Sequence, residues 1–427
     1  MLIAALLILL ALIALSIPVA AALGWLGLTL GQFYTLMPVH RAIGDIAWQN
    51  SIEFLLVAIP MFVMLGEILL RSGVTTKMYD AMVKWLSWLP GGLMHSNIGS
   101  CALFAATSGS SVATAATIGT VAEPEMRKHG YHEPLFLGTI AAGGTLGILI
   151  PPSINLIVYG LLTNTSVPEL YLAGFIPGLL LAGLFMATVA VACVLRPAWG
   201  GERIHYAWKE RLVVLVHLIP PILIFLVVVG SIYAGWATPT EAASLGVVAA
   251  LVLAAAHGRL TLAMMREVFR GTMRTTAIIM LIILAAIFLN FVLTAIGLTT
   301  QLTDAIKGLG LSPLGTLLLV VLFYVLLGCF METFSMLITT ATIVTPIVVG
   351  VGYDAVWFGI LLMVLLETAL ITPPIGINLF VVQSIRTRGE IKDVMLGALP
   401  FVITMFAMIA LLIAYPELAL WLPQLFY

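Results

Sequence analysis

The chain has 427 residues, of which 62% are hydrophobic and 9% are charged, and its formal net charge is −1. A water-soluble domain carries about 25% charged residues, so a soluble globule is excluded, and the near-neutral balance gives no basis for a nucleic-acid partner. Apolar runs of about 20 residues, the length a helix needs to cross a bilayer, recur along the chain, so the fold class is an all-α polytopic membrane protein.

Residues 2–30 make the first span, bent at Pro18. Ala20, Ala21 and Ala22 after an apolar run imitate a signal-peptide cleavage site. No Lys or Arg precedes Arg41, however, and the run is longer than the usual ~7–15 residues. An uncleaved helix is therefore expected. Residues 31–51 are mixed and aromatic and fit the membrane interface. Residues 52–71 span, and Glu67, four residues before Arg71, reads as a helix-face ion pair. Residues 77–89 are too short and too charged to cross; Lys77, Lys84, Trp85 and Trp88 fit an amphipathic helix on the membrane surface.

Residues 92–126 are uncharged over most of their length but are interrupted by Thr107, Ser108, Gly109, Ser110 and Ser111. Neither half is long enough to span, so a re-entrant hairpin with a polar tip is expected, its backbone covered by protein or a watery cavity. The segment 134–163 follows, too long for one straight span of a 30 Å core at 1.5 Å per residue. It is loosened by Gly143, Gly144 and Gly147 and interrupted by Pro151-Pro152. A proline removes a backbone donor and clashes with the preceding turn, so this is a broken helix. Spans follow at 168–195, 212–235, 240–257 and 275–296, with Thr238-Pro239-Thr240-Glu241 reading as N-cap, N1 proline and N3 glutamate. A second hairpin at 312–351, with Glu332, Thr333 and Ser335 near its tip, precedes a second broken helix at 355–385, interrupted at Pro373-Pro374. A last span at 393–414 and a tail at 416–427 complete the chain.

The second half repeats the first. At one offset Thr117, Thr120, Pro124, Gly130, Tyr131, Phe136, Pro151 and Pro152 fall on Thr339, Thr342, Pro346, Gly352, Tyr353, Phe358, Pro373 and Pro374. Upstream, GVTTKMYDA (73–81) matches GLTTQLTDA (297–305). The organisation is an N-terminal helix and interfacial segment (1–51), a first repeat (52–195), a connecting helix pair (196–271), a second repeat (272–415) and the tail. With the N-terminus cytoplasmic and nine full crossings, every Lys and Arg falls on the cytoplasmic side except Arg41 and Lys307, which satisfies the positive-inside rule. The C-terminus is then periplasmic, and the odd number of crossings between the copies makes the repeats inverted.

Inverted repeats with broken helices are a secondary-transporter design, with the site near the midplane where the breaks converge. Unwound carbonyls and hydroxyls there suit a hard cation, and helix N-termini suit an anion. No G-x-x-x-x-G-K-[ST] occurs, so an ion gradient is the expected energy source. No nucleophile–base pairing or metal cluster suggests an enzyme. Cys101, Cys193 and Cys329 sit singly in apolar runs, and His129 and His132 in a charged loop. A stand-alone sodium/proton antiporter is the rival and would place paired buried acids at the breaks. The intramembrane carboxylates are Glu332 and Glu367; for Glu367 a transport role and a fixed hydrogen bond bracing the broken helix are equal readings. For Thr114, Thr117, Thr339 and Thr340, close packing and function are equal readings.

Six motifs in order, SGSSVATAATIG, EMRKHGY, AAGGTLGILIPPSI, ATPTEAAS, VWFGI and LITPPIGINLF, make the chain similar to the large membrane subunit of TRAP (tripartite ATP-independent periplasmic) transporters. The resemblance covers essentially the whole chain. It implies sodium-coupled import of an organic acid, such as a C4-dicarboxylate or sugar acid, across a bacterial inner membrane by an elevator movement. It also implies two partners, a small four-helix membrane subunit and a periplasmic solute-binding protein. Sodium is the coupling ion, with no other cofactor or metal. By resemblance, one sodium site falls at Ser108, Gly109, Ser110, Gly143, Gly144, Gly147 and Pro151, and the other at Thr333, Ser335, Thr368, Thr372 and Pro373. The polar positions beside the tips and breaks, Ser111, Ser153, Asn155, Glu332, Gly376 and Asn378, are expected to meet the solute.

Overall fold

The computed structural model describes residues 4–5, 7–8, 11–12, 15, 17–202, 205–298, 301, 308, 310–386 and 388–427. Parts of the expected first span, Arg203, Lys307 and most of the GLTTQLTDA copy lie outside the described residues. Among the described residues helix is the only regular structure.

In chain order the helices are α1 (Val19–Tyr34), α2 (Ile43–Ser51), α3 (Ala58–Arg71), α4 (Val74–Leu86), α5 (Leu93–Ser108), α6 (Ser111–Lys128), α7 (Glu133–Thr145), α8 (Ile154–Thr163), α9 (Val167–Leu195), α10 (Trp208–Val214), α11 (Ile219–Tyr233), α12 (Pro239–Ala256), α13 (Leu262–Ala295), α14 (Pro313–Gly328), α15 (Thr333–Gly350), α16 (Ala355–Ile371), α17 (Ile377–Ile385), α18 (Ile391–Ala414) and α19 (Glu417–Phe426). Among the described residues six single stretches, 54–71, α9, α12, α13, α15 and α18, are long and apolar enough to cross a membrane, α15 being the returning half of the expected second hairpin, and a seventh is the pair 208–217 and 219–233, bent by 42°. The nine-crossing reading treats each broken helix as one span; by length neither of its halves qualifies alone.

Three boundaries differ from expectation. Pro18 interrupts the first helix rather than bending it: its ψ of 136 is extended, and α1 starts after it. α13 begins at Leu262, well before the apolar stretch at 275, because Thr261 caps it by accepting from the Met264 amide at 3.1 Å. Arginine is a good helix former, so the charged turns holding Arg266, Arg270 and Arg274 extend the span. The tail is a helix, α19, packed on α9.

Local chemistry matches expectation elsewhere. Glu67 and Arg71 form the helix-face ion pair. Thr238 and Glu241 exchange the reciprocal bonds of a capping box. Cys101, Cys193 and Cys329 are free thiols. His132 caps α7 and stacks on Trp199 at 4.3 Å between centroids.

The helices fall into two packed groups. α3, α11, α12 and α13, with α1 against α13, form a frame. The two hairpins, α5–α6 and α14–α15, pack with the broken helices α7–α8 and α16–α17 and with α9 and α18. The densest seam in this second group joins the repeats, α7 against α18. A Cβ on Gly138 would stand 2.0 Å from the Gly397 carbonyl oxygen, and one on Gly397 would stand 1.7 Å from that of Pro134. Backbone approaches backbone there because neither residue has a side chain, the small-residue packing that lets helices associate in lipid. Arg386, its side chain 1% exposed, closes the end of the seam, donating to Glu133 Oε1 at 2.6 Å and Asp393 Oδ2 at 3.2 Å.

Gly397→Ala is therefore expected to force α7 and α18 apart and to destabilise the protein by about 1–3 kcal/mol. Thermal unfolding in detergent should show a lowered midpoint; an unchanged midpoint would mean the seam relaxes freely.

Candidate functional site

The first hairpin turns at Gly109, whose φ of +61 is the left-handed geometry that glycine adopts without strain. Ser110, in extended conformation, caps α6 by accepting from the Ala113 amide at 3.4 Å. The tip locks onto the first broken helix. A Cβ at Gly109 would meet the Pro152 carbonyl oxygen at 2.7 Å, and one at Gly147 would meet the Ser110 carbonyl carbon at 2.8 Å. Ser111 Oγ donates to the Thr145 carbonyl at 3.3 Å, and Thr114 Oγ1 donates to the Ser110 carbonyl at 2.6 Å and lies 3.2 Å from Ser108 Oγ. Gly143 and Gly144 sit further back in α7, where they let it approach Cys101 of α5 and Ala115 of α6.

α7 ends in tightened turns. Leu146, Gly147 and Ile148 donate to carbonyls three residues back at 3.2, 3.3 and 3.0 Å. The chain passes Pro151-Pro152, and Ser153 starts α8 by accepting from the Leu156 amide at 3.4 Å while donating to the Ile148 carbonyl. Ser153 thus braces the break.

The second hairpin turns differently. Residues 329–332 join α14 to α15, and Glu332 is the N-cap: its carboxylate accepts from the amides of Phe334 and Ser335 at 2.9 and 3.0 Å and from Ser335 Oγ at 2.8 Å. The charge sits where the α15 helix dipole favours an anion. In the second broken helix α16 ends at Ile371. Thr368 and Thr372 fold their hydroxyls back onto the Val364 and Thr368 carbonyls at 2.7 and 2.6 Å. After Pro373-Pro374, Gly376 leads into α17. Asn378 reaches into the first repeat, donating to the Ala141 carbonyl at 3.0 Å.

Both tips, with residues flanking both breaks, meet at one cleft of about 470 Å³. Its transporter-side wall includes Ser108, Gly109, Ser110, Ser111, Ile148, Ile154 and Asn155 from the first repeat. Glu332, Thr333, Phe334, Leu370 and Ile377 come from the second. Opposite stand Val63, Gly66, Glu67 and Leu70 of α3 and Thr275, Ile278 and Ile279 of α13. Two lining atoms, Asn155 Nδ2 and Thr333 Oγ1, are buried without a hydrogen-bond partner. Such atoms are costly to leave unpaired, so they are candidates to hold a ligand.

Of the residues singled out in sequence, Ser108, Gly109, Ser110, Ser111, Asn155, Glu332 and Thr333 wall the cleft. Gly143, Gly144, Gly147, Pro151, Ser153, Ser335, Thr368, Thr372, Pro373, Gly376 and Asn378 lie outside its lining. The α3 and α13 residues were not legible as site residues; the one local signal is Gly66, a glycine within an apolar run. Its reason is now visible: a Cβ there would stand 3.3 Å from the Ser108 carbonyl oxygen. Glu367 is 0% exposed; its carboxyl group faces the backbone of Leu149 in the turns that end α7, without a hydrogen bond of good geometry. Among the other doubly read hydroxyls, Thr117 Oγ1 is unpaired, whereas Thr339 and Thr340 bond to the Ser335 and Met336 carbonyls, both at 2.6 Å.

The donor set at the first tip and break, serine hydroxyls and unwound carbonyls with no charged group, fits a hard monovalent cation better than a transition metal. Among the described residues no cluster of three His, Cys, Asp or Glu exists to hold a metal ion.

Glu332→Ala removes the acceptor of three hydrogen bonds at a helix start and should cost about 1–2 kcal/mol. The check is thermal unfolding with Glu332→Gln as the partial replacement; equal midpoints for wild type and Glu332→Ala would show the cap to be dispensable.

The family described as "Tripartite ATP-independent periplasmic transporter, DctM component" matches residues 6–418. The C4-dicarboxylate TRAP transporter large permease protein DctM of Vibrio cholerae serotype O1 is 33% identical, covering 87% of this chain and 86% of the relative. The sialic acid TRAP transporter large permease protein SiaM of the same organism is 32% identical, covering 88% and 87%. The ectoine/5-hydroxyectoine large permease protein UehC of Ruegeria pomeroyi is 30% identical, covering 87% and 86%. In three dimensions the YdaH transporter of Alcanivorax borkumensis superposes with a TM-score of 0.57 at 15% identity, covering 96% of this chain and 98% of that one; this likeness concerns the fold.

Proposed function

The chain belongs to the DctM component family of tripartite ATP-independent periplasmic transporters, a multi-span membrane transporter and not an enzyme, and from that premise we propose that it imports an organic acid using a sodium gradient. The observation that carries the proposal is the cleft in which both tips meet residues flanking both breaks, with Asn155 Nδ2 and Thr333 Oγ1 buried and unpaired in its wall. The solute class is a C4-dicarboxylate, a sugar acid or a similar carboxylate; relatives named for a C4-dicarboxylate and for sialic acid support it. A periplasmic binding protein delivers the solute, and a small four-helix membrane subunit joins the frame.

Sodium would be held by each tip with the break that follows it. At the first site the oxygens come from Ser108, Gly109 and Ser110 with the Gly147–Pro151 stretch, and at the second from Thr333 and Ser335 with Thr368–Pro373. Bound sodium would supply positive charge that lets a carboxylate occupy a cleft whose wall carries Glu67 and Glu332 but, among the described residues, no Lys or Arg. The chain's residues orient the solute through Ser111, Asn155 and Thr333 and exclude water by closing the tips on the breaks. The two repeats, 52–195 and 272–415, lie inverted in a bacterial inner membrane, N-terminus cytoplasmic and C-terminus periplasmic, as the Lys/Arg asymmetry supports. The hairpins and broken helices travel together past the frame, an elevator movement. The rival sodium/proton antiporter calls for facing acids at the breaks. Glu332 instead caps a helix, and Glu367 faces the Leu149 backbone rather than a second acid.

Uptake of radiolabelled organic acids into vesicles holding all three components is expected to require an inward sodium gradient. Ser110→Ala and Ser335→Ala should each raise the sodium concentration for half-maximal uptake severalfold at unchanged expression. Sodium-independent uptake, or variants with wild-type sodium dependence, would refute the coupling.

A further inference from the structure

The frame's wall of the cleft carries an ion pair. Glu67 lines the cleft. Its Oε2 accepts from Arg71 Nη1, which also donates to the Glu67 carbonyl at 3.2 Å. The neighbouring helix is notched to receive the pair: a Cβ on Gly271 of α13 would stand 2.5 Å from Glu67 Oε2 and 2.6 Å from Cδ. One turn further along α13, Thr275 lines the same cleft.

A guanidinium offers five N–H donors in a planar fork. Among the described residues only Nη1 of Arg71 is engaged; Nη2 and Nε make no hydrogen bond within the protein, and the side chain is 29% exposed. No Lys or Arg is among the described residues of the cleft wall. Arg71 is thus a cation one helical turn beyond the lining residue Glu67, anchored by one nitrogen and with the rest of its fork free of hydrogen bonds within the protein.

We infer that Arg71 receives the carboxylate of the solute at the rim of the cleft and that Glu67 is the internal competitor that tempers its hold. The inference rests on the organic-acid reading above. A carboxylate matches two parallel N–H groups of a guanidinium, and such charge-assisted pairs are stronger than neutral hydrogen bonds. An unpaired arginine would retain the anion. Glu67 competes for the same guanidinium and keeps the pair close to neutral at rest, so the solute binds firmly enough to enter and loosely enough to leave, the balance a transport pathway requires. Gly271 keeps Glu67 in place, since any side chain there displaces its carboxylate.

The test is uptake kinetics in vesicles holding the full transporter, with labelled succinate, malate and gluconate as probes. For whichever acid is carried, Arg71→Gln should raise KM about tenfold, the loss of one charge-assisted carboxylate contact, with Vmax little changed. Arg71→Lys, which keeps the charge and loses the fork, should fall between. Glu67→Gln and Gly271→Ala should lower both KM and Vmax, because the guanidinium then holds the anion without competition. A merely structural ion pair would lower the thermal unfolding midpoint and the amount of folded protein and leave KM alone. If Arg71→Gln does not fold, Arg71→Lys and Glu67→Gln carry the test. Wild-type KM in folded Arg71→Lys and Glu67→Gln overturns this inference while leaving the transport reading intact; no sodium-driven uptake of any organic acid by the wild-type transporter overturns the transport reading itself.

Discussion

The structure depends on satisfying unwound backbone inside an apolar protein. A helix that stops in the membrane leaves carbonyls at its C-terminal end and amides at its N-terminal end with no intrahelical partner, and lipid offers none. The two hairpins and the two broken helices make four such interruptions and answer each with polar side chains. Ser110, Ser153 and Glu332 cap the restarting helices, while Thr368 and Thr372 fold back on carbonyls of the ending one. Tip and break also cover one another: Gly109 and Gly147 let the first hairpin seat directly on the interrupted backbone. Of the buried side-chain atoms left without a hydrogen-bond partner, Asn155 Nδ2 and Thr333 Oγ1 are two that line the cleft.

The second constraint is that the hairpins, broken helices, α9 and α18 of the two repeats act as one packed group. Backbone-to-backbone contact at Gly138, Pro134 and Gly397, the Asn378 bond to Ala141 and the Arg386 bond to Glu133 all run between the repeats. These are short-range contacts that tolerate little relative movement. The frame meets this group more lightly, through residues such as Gly66 against the backbone of Ser108. A smooth contact of that kind is compatible with sliding, whereas the seam between the repeats is not.

Much of this was legible in the sequence. The double prolines announce broken helices because proline can neither donate nor fit a continuing turn, and TSGSS in an apolar run announces a turn. The second tip was harder: its turn is capped by the acid Glu332, whose side chain could equally have served a solute. The frame's side of the cleft was not legible. Gly66 and Thr275 look like ordinary packing residues in apolar spans, and only the pairing of distant helices gives them a cleft to line. The tail's helix, the interruption at Pro18 and the early start of α13 depend on docking and caps that hydropathy does not weigh.

The account's central claim is that the hairpin group moves past the frame while carrying the solute. A Cβ on Gly66 would stand 3.4 Å from Ser108 Cβ, close to the ~3.8 Å a disulfide needs between its Cβ atoms. Replacing Gly66 and Ser108 together by cysteine therefore permits a bond that ties the first tip to α3. The most direct measurement is uptake by this double variant in vesicles, oxidised and then reduced. The account predicts that oxidation stops uptake without unfolding the protein and that reduction restores the rate shown before oxidation. Uptake at an undiminished rate with the disulfide demonstrably intact would contradict it.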